Sequence, residues 1–362
     1  MRFLTGYLFF GALILCGVAH AQPRNVKPLP TGTVMPSQPV VIKDWTIGCD
    51  NGLACQAVAL QHSADYTDFL SFVVARAADI DAPLKITAFG PNSKADKFRI
   101  LIDGRLIISG KVTPGETSAS IEGADSIKLA RAMARGNEIR LMDGAGVMVG
   151  RASLSGAKVA FQRLDKAQGR AGTKSAIILT GRKVMRPPPA TLPIIAVKRL
   201  KESNVLPDTD TLVALAEHSA CAAERVEVTQ DTVYSLGSKG DAPLALALVS
   251  CGGGAYNPAS VAFLGTKGAD GKWTFDQVAF DYEAYEKADT GGLKLLLHPS
   301  WNPVSQTLSS FAKERGLGDC GNSAQYIWDG AMFRLKGATA MNECRGSFNW
   351  IPTWRAQVQF VD

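Results

Sequence analysis

Six cysteines carry the most constrained chemistry in this 362-residue chain: Cys49, Cys55, Cys221, Cys251, Cys320 and Cys344. They follow an N-terminal export signal. Arg2 gives it a positive start, Phe3 to Val18 is almost wholly apolar, and Ala19-His20-Ala21 is a small-x-small cleavage site before Gln22. The apolar run is short for a membrane anchor and ends in that site, so cleavage is expected and Cys16 leaves with the signal. An even number of cysteines in an oxidising compartment implies three disulfides, with the connectivity open. Sequential pairing (Cys49–Cys55, Cys221–Cys251, Cys320–Cys344) is expected because each pair lies within one segment able to fold as a unit. There is no Cys-x-x-Cys, so neither a zinc site nor a redox-active thiol pair is expected.

Other chemistry is sparse. Beyond the signal the histidines are His62, His218 and His298. His218 stands three residues before Cys221, a spacing that can share a metal on a helix, but a disulfide at Cys221 removes it. Neither the zinc-protease pattern His-Glu-x-x-His nor the hydrolase pattern Gly-x-Ser-x-Gly occurs. Gly316-Leu317-Gly318-Asp319-Cys320-Gly321 has dinucleotide-loop spacing without the strand and helix that give it meaning, and reads as a turn. Asp276, Asp281, Glu283, Glu286 and Asp289, with Tyr282 and Tyr285, permit the paired carboxylates of a glycosidase. An exposed acidic loop is the expectation. Trp328, Phe333, Phe348, Trp350 and Trp354 can line a sugar or peptide groove, although half or more should be core. No cofactor is expected.

Charge is segregated. Lys166, Arg170, Lys174, Arg182, Lys183, Arg186, Lys198, Arg199 and Lys201 form a segment with no acidic residue. From Gln22 to Asp165 there are 17 basic and 14 acidic residues, or +3; after Lys201 there are 12 and 19, or −7. The segment contains Arg186-Pro187-Pro188-Pro189-Ala190-Thr191-Leu192-Pro193, expected to be extended. It reads as a solvated linker that can also lie on an anionic envelope surface. Nucleic acid is not expected, because no aromatic residues interleave these charges.

The elements around these residues read as mostly β. Lys43 to Cys49 opens as a strand and turns at Asp50-Asn51-Gly52 toward Cys55. Arg99 to Ile102 and Leu106 to Ile108 flank Asp103-Gly104, a strong hairpin signal. Glu138 to Met142 and Val147 to Leu154 form another hairpin. Helices are predicted over Ser126–Arg135, after a Ser155 cap, and over Thr211–Arg225 behind Asp208. Short strands from Pro243 onward complete a second β-rich body. The fold class is α+β, predominantly antiparallel β: two β-rich domains joined by a basic Pro-rich linker. The expected organisation is a signal over 1–21, an N-terminal linker over 22–40, a β-sandwich-like domain over 41–165, the linker over 166–204, and a mostly-β domain with two disulfides over 205–362.

Lys43-Asp44-Trp45-x-x-x-Cys49 with Cys55, then Ser153-Leu154-Ser155-Gly156, Ala160 and Leu164, resembles the invasion-associated locus B family of exported bacterial proteins over residues 43–165. That resemblance implies a β-sandwich-like, non-enzymatic domain. The whole chain is similar to the domain-of-unknown-function family 1176, with its six cysteines, opening Asp-Trp-x-x-x-Cys segment and late signature. Gly318-Asp319-Cys320-Gly321, Trp328-Asp329-Gly330 and Cys344-Arg345-Gly346 supply that signature here. The resemblance brings no catalytic residue across. The expectation is a periplasmic or secreted bacterial protein with no stable transmembrane anchor, a non-catalytic module that binds an anionic envelope component or another envelope protein. The alternatives are an envelope hydrolase acting on wall glycan or peptide, and an inhibitor of a lytic enzyme.

Overall fold

Apolar residues spaced for one buried face set the first strands: Trp45 and Ile47, Phe72 and Val74, Ile86 and Ala88 are all buried. In the computed structural model, residues 34–62, 68–89, 97–112, 116, 118–186, 192–219, 221, 232–283 and 294–361 are described. The expected signal over 1–21 lies outside them, as do 22–33, Pro187 to Thr191, Ala222 to Arg225, Tyr285, Glu286 and Asp289.

The first strands are β1 (Val40–Ile42), β2 (Trp45–Cys49), β3 (Cys55–Ala59), β4 (Ser71–Arg76) and β5 (Lys85–Phe89). They are followed by β6 (Lys97–Ile102), β7 (Arg105–Lys111) and β8 (Ser118–Ile121), then helix α1 (Gly123–Met133). Strands β9 (Glu138–Asp143) and β10 (Met148–Ser153) lead into α2 (Ala157–Ala167). One antiparallel sheet runs β1-β2-β3-β4-β5-β8 and a second runs β10-β9-β6-β7. Asp103 (φ 49°) and Gly104 (φ 78°) make the left-handed turn expected between β6 and β7. Ser155 does not cap α2. Gly156 occupies the cap position at φ 99°, and a Cβ there would lie 2.0 Å from the Ile42 carbonyl oxygen. The Trp45 ring meets Phe161 of α2 edge-on at 5.5 Å, and the Trp45 indole N–H donates to the Ser153 carbonyl at 3.0 Å.

Strand β11 (Ile194–Lys198) and helix α3 (Thr209–His218) lie between the two sheet systems in sequence. Asp208 caps α3 as expected, accepting from the Thr211 N–H at 2.8 Å. The described helix stops at His218, short of the predicted Arg225, and among its residues only Ala216 is buried. The later strands are β12 (Thr232–Lys239), β13 (Ala242–Gly254), β14 (Asn257–Lys267), β15 (Trp273–Gln277), β16 (Leu295–Leu297) and β17 (Ser300–Asn302). Then come β18 (Thr307–Lys313), β19 (Gly321–Trp328), β20 (Phe333–Met341), β21 (Ile351–Arg355) and β22 (Gln357–Val361). They form a sheet β12-β13-β14-β15 with β16 also on β14, a sheet β17-β18-β19-β20-β21, and a parallel pair β11-β22. Leu244, Leu246 and Leu248 share one apolar core with Leu308, Tyr326, Phe333 and Leu335.

All three disulfides form between sequence neighbours: Cys49–Cys55 across the β2–β3 turn, Cys221–Cys251, and Cys320–Cys344. A further apolar cluster joins Val58, Leu60 and Val73 of the first sheet to Cys320, Met341 and Ile351 of the last. Val34–Asp362 is accordingly one compact unit. Among the described residues no helix is long and apolar enough to cross a membrane.

Candidate functional site

The basic segment is folded where the described residues cover it. The Asp165 carboxylate, fully buried near the end of α2, accepts the N–H groups of Ile177 (2.8 Å), Ile178 (2.8 Å) and Leu179 (3.0 Å). Those bonds draw residues 168–183 back onto the first sheet. Gly181 N–H donates to the Thr173 carbonyl and Lys183 N–H to that of Gly172, closing the loop. Inside it, Arg170 is fully buried, unlike the other eight cations. Its guanidinium donates to the carbonyls of Ile80 (3.1 Å) and Asp79 (2.5 Å) and to the Gln168 side-chain oxygen (3.0 Å). Burial pushes Arg170 below the ordinary arginine range, opposed by the nearby charges of Asp165, Asp79 and Asp81. Neighbouring Arg76 is pushed down to about 10, by burial first and by the Arg170 charge second. Arg170 is therefore part of the interior and departs from the surface role expected of it.

The remaining cations form two groups. Lys166, Lys174, Arg182, Lys183 and Arg186 are exposed on the loop, and Lys198, Arg199 and Lys201 at the end of β11. Among the described residues none of the eight pairs with a carboxylate, and Arg199 lies 4.7 Å over the Phe360 ring of β22. Residues 194–198 are a strand rather than a spacer, because β22 supplies a parallel partner from the far end of the chain.

A second set of charges is fully partnered. Arg345 donates to Asp44 (2.6 Å), to the Lys43 carbonyl (2.6 Å) and to the Gln61 carbonyl (2.8 Å). The other Asp44 oxygen is 2.7 Å from His62 Nδ1. Burial raises Asp44, but hydrogen bonds from Ser153, Arg345 and His62 outweigh it and leave the carboxyl below its ordinary value. Asp319 behaves alike: burial raises it, and bonds from Arg315 and the Gly346 N–H (2.7 Å) hold it low. Arg355 completes the set by binding Asp50. Beside Asp44 lies a cavity of about 280 Å³ lined by His62, Asp68, Glu138, Arg151 and Ser153 among others. Its charges are already committed, with Arg151 bridging Asp68 (2.8 Å) and Glu138 (3.2 Å).

A third feature is a cleft of about 290 Å³ where the chain after β11 passes β12 and the β17–β18 turn. Trp301 and Trp328 contribute to its lining, and Lys198 joins it to the basic segment. The indole N–H groups of both tryptophans are buried and have no acceptor among the described residues. An orphaned buried donor costs about 1–3 kcal/mol, so two in one place call for an explanation.

Residues 40–357 match the model of the family described as "Protein of unknown function (DUF1176)". The chain belongs to this family. It is 27% identical to the "Uncharacterized protein YpfG" of Escherichia coli (strain K12), across 98% of this chain and 99% of the relative. A crystal structure of invasion associated protein B from Bartonella henselae is 15% identical, covering 36% of this chain and 99% of its own, with a TM-score of 0.29.

In this DUF1176 chain the signature residues are joints. Asp44 of the opening segment and Arg345 of the closing one bind each other, and Asp319 holds the backbone next to Arg345. Asp329 of the Trp-Asp-Gly triplet accepts from the N–H groups of Ala331 and Met332 (2.8 Å each) and from Arg334 (2.6 Å), fixing the β19–β20 turn.

The remaining sequence candidates do not converge. His218 Nδ1 is 2.7 Å from the Ala214 carbonyl, and Cys221 is in its disulfide. His298 Nε2 is 2.7 Å from the Tyr256 carbonyl. Of the acidic stretch, Asp276 sits in β15 and Glu283 binds Lys294 at 2.5 Å. Burial pushes Asp281 above its ordinary value, yet its oxygen accepts the Leu335 N–H at 2.7 Å and lines neither cavity above. Residues 316–320 form a turn that leads into β19 at Gly321, with Gly318 N–H donating to the Arg315 carbonyl. Trp328 and Phe333 are core while Phe348 is exposed, as the split expectation for the aromatics allows. Sequence reasoning missed two Ser-x-x-Lys spacings, Ser155–Lys158 and Ser310–Lys313. Ser310 Oγ is bound to the Leu297 backbone, and neither serine bonds its lysine among the described residues.

Proposed function

We propose that the protein is an exported bacterial module that works by binding and not by catalysis, associating with an anionic component of the cell envelope. The observation that carries this is the contrast in charge. Eight cations of one acid-free segment are exposed without a carboxylate partner among the described residues, while Asp44, Asp50 and Asp319 are bound to arginines. A group left hydrated and unpaired is available to a diffuse anionic surface at little desolvation cost. The periplasmic or secreted location agrees with the N-terminal signal and with three structural disulfides. The hydrolase alternative is weaker, because the acidic stretch offers no facing pair of carboxylates among the described residues.

The test is flotation with vesicles of phosphatidylglycerol and phosphatidylcholine. The wild-type chain is expected to float with anionic vesicles, less so as salt rises. Changing Lys166, Lys174, Arg182, Lys183, Arg186, Lys198, Arg199 and Lys201 to Gln should abolish flotation. Equal flotation of the neutral variant, with the same salt dependence, would sink the reading.

A further inference from the structure

The cleft beside Trp301 and Trp328 has a chemistry distinct from the basic surface. Trp301 is 7% and Trp328 5% exposed, so both rings are fixed parts of the second core, where Trp301 meets Phe333 edge-on at 6.1 Å. Leu236 and Pro303 extend this apolar lining. Besides Ser203 and Ser235, four longer polar side chains stand around it: Lys198, Glu202, Asn204 and Gln306. All four are exposed, and none has a hydrogen-bond or ionic partner among the described residues. One positive and one negative group leave the rim without net charge, and the two amides each offer donors and an acceptor.

The rim is held in place by backbone. Ser235 Oγ donates to the Ser203 carbonyl, and Ser238 N–H to that of Lys201 at 2.8 Å, fixing the segment after β11 that carries Glu202 and Asn204. Asn302 accepts from the Ser305 N–H at 2.9 Å, fixing the turn that carries Gln306 at φ 49°. The lining thus joins two amides and an opposed pair of charges to two tryptophans whose buried indole N–H groups have no acceptor among the described residues. Pockets of this kind, at the small end of the ligand-binding range, pair an apolar face with a few placed polar groups. A pyranose has the matching form: one C–H face for an aromatic wall, and a ring of hydroxyls that both donate and accept. An ionic ligand would meet a like charge at Lys198 or Glu202 as readily as an opposite one.

We infer that this cleft is a carbohydrate site that takes one uncharged pyranose unit of a glycan. The inference goes beyond the surface-binding reading and does not need it, since it uses no net charge. The test follows the assigned indole N–H signals of the ¹⁵N-labelled protein during titration with glucose, N-acetylglucosamine and glucuronate. A neutral sugar at millimolar concentration is expected to move the Trp301 and Trp328 signals saturably, while those of Trp45 and Trp354, bound to carbonyls, stay still. Asn204→Trp, an exposed change that fills the cleft mouth, should weaken binding at least about tenfold. Asn204→Ala with Gln306→Ala should weaken it without filling anything. If neither neutral sugar moves the two signals, or if Asn204→Trp responds as wild type does, the assignment is overturned. Vesicle flotation of Asn204→Trp should be unchanged, so loss of the sugar response and loss of surface binding are separable.

Discussion

Arg170 and Lys174 stand one helical turn apart in sequence, in the same acid-free segment, and their fates are opposite. Arg170 is enclosed and donates to two carbonyls and a side-chain amide, whereas Lys174 is exposed and unpaired. The same division runs through the molecule. Arg345 and Arg355 bind acids more than 300 residues away in sequence, while the lysines and arginines around β11 bind none among the described residues. Positive charge in this fold has two uses, and partners distinguish them where composition does not. Arginines bound to carbonyls or carboxylates fasten segments together. Hydrated cations contribute little to stability and remain available to an outside partner.

That comparison can be broken most directly at its two extremes. Arg170→Ala removes a buried cation, leaves the Ile80 and Asp79 carbonyls without that donor, and should cost about 3–5 kcal/mol in a denaturant titration. Lys174→Ala should leave the midpoint where it is. Equal effects would mean that the enclosure of Arg170 contributes nothing. Arg345→Ala comes next, at about 2–3 kcal/mol, because it strips Asp44 of one partner and the Gln61 and Lys43 carbonyls of another. Arg345→Lys should recover little of this, since a lysine cannot reach three acceptors in one plane.

Acid sharpens the comparison with a smaller effect. Asp44 and Asp319 are held below their ordinary values, so their contribution is complete above about pH 4 and is lost as pH falls through the folded values. Asp281 has the opposite sign. Burial raises it, so its ionisation opposes folding as pH rises through its folded value, and acidification first relieves that cost. Stability measured downward from neutral pH should therefore rise slightly before it falls. Asp281→Asn should remove the rise, and Arg345→Ala should soften the fall. The smallest effect is expected from the variant with the eight cations of the basic segment changed to Gln, whose unfolding midpoint should match wild type even though vesicle binding is gone.

What the chain discloses in advance follows the range of each interaction. The β6–β7 hairpin was readable because Asp103-Gly104 specifies its turn within two residues. The three disulfides were readable because each closes within one segment. Interactions that depend on distant partners were not. Nothing near Ile194 indicates a parallel strand until β22 is placed beside it, so 194–198 reads as spacer. Arg170 looks like its basic neighbours because the Asp79 and Ile80 carbonyls that receive it lie about ninety residues earlier. The cap of α2 was misassigned for a related reason. Ser155 has the ordinary chemistry of a cap, but the Ile42 carbonyl crowds the next position and leaves room only for Gly156. Of the cleft, the sequence offered Trp328 as an aromatic candidate; Trp301 and the rim come together only through the sheets.

The closing strands bear on when this fold can exist at all. Ser37 N–H donates to the Thr353 carbonyl at 3.0 Å, Asn51 and Arg355 exchange two hydrogen bonds, and Ile351 packs in a cluster with Val58 and Leu60. A ribosome delivers the opening strands first and the residues that cover them last. Until β21 is available, the face of the first sheet that carries Val58 and Val73 lacks part of its cover. Such reliance on contacts some 300 residues apart in sequence slows a β-rich chain, so covering this face should wait for β21 and not follow from the early emergence of β3 and β4. A truncation ending at Trp350 is then expected to expose part of the face carrying Val58 and Val73, which binding of a hydrophobic dye would report.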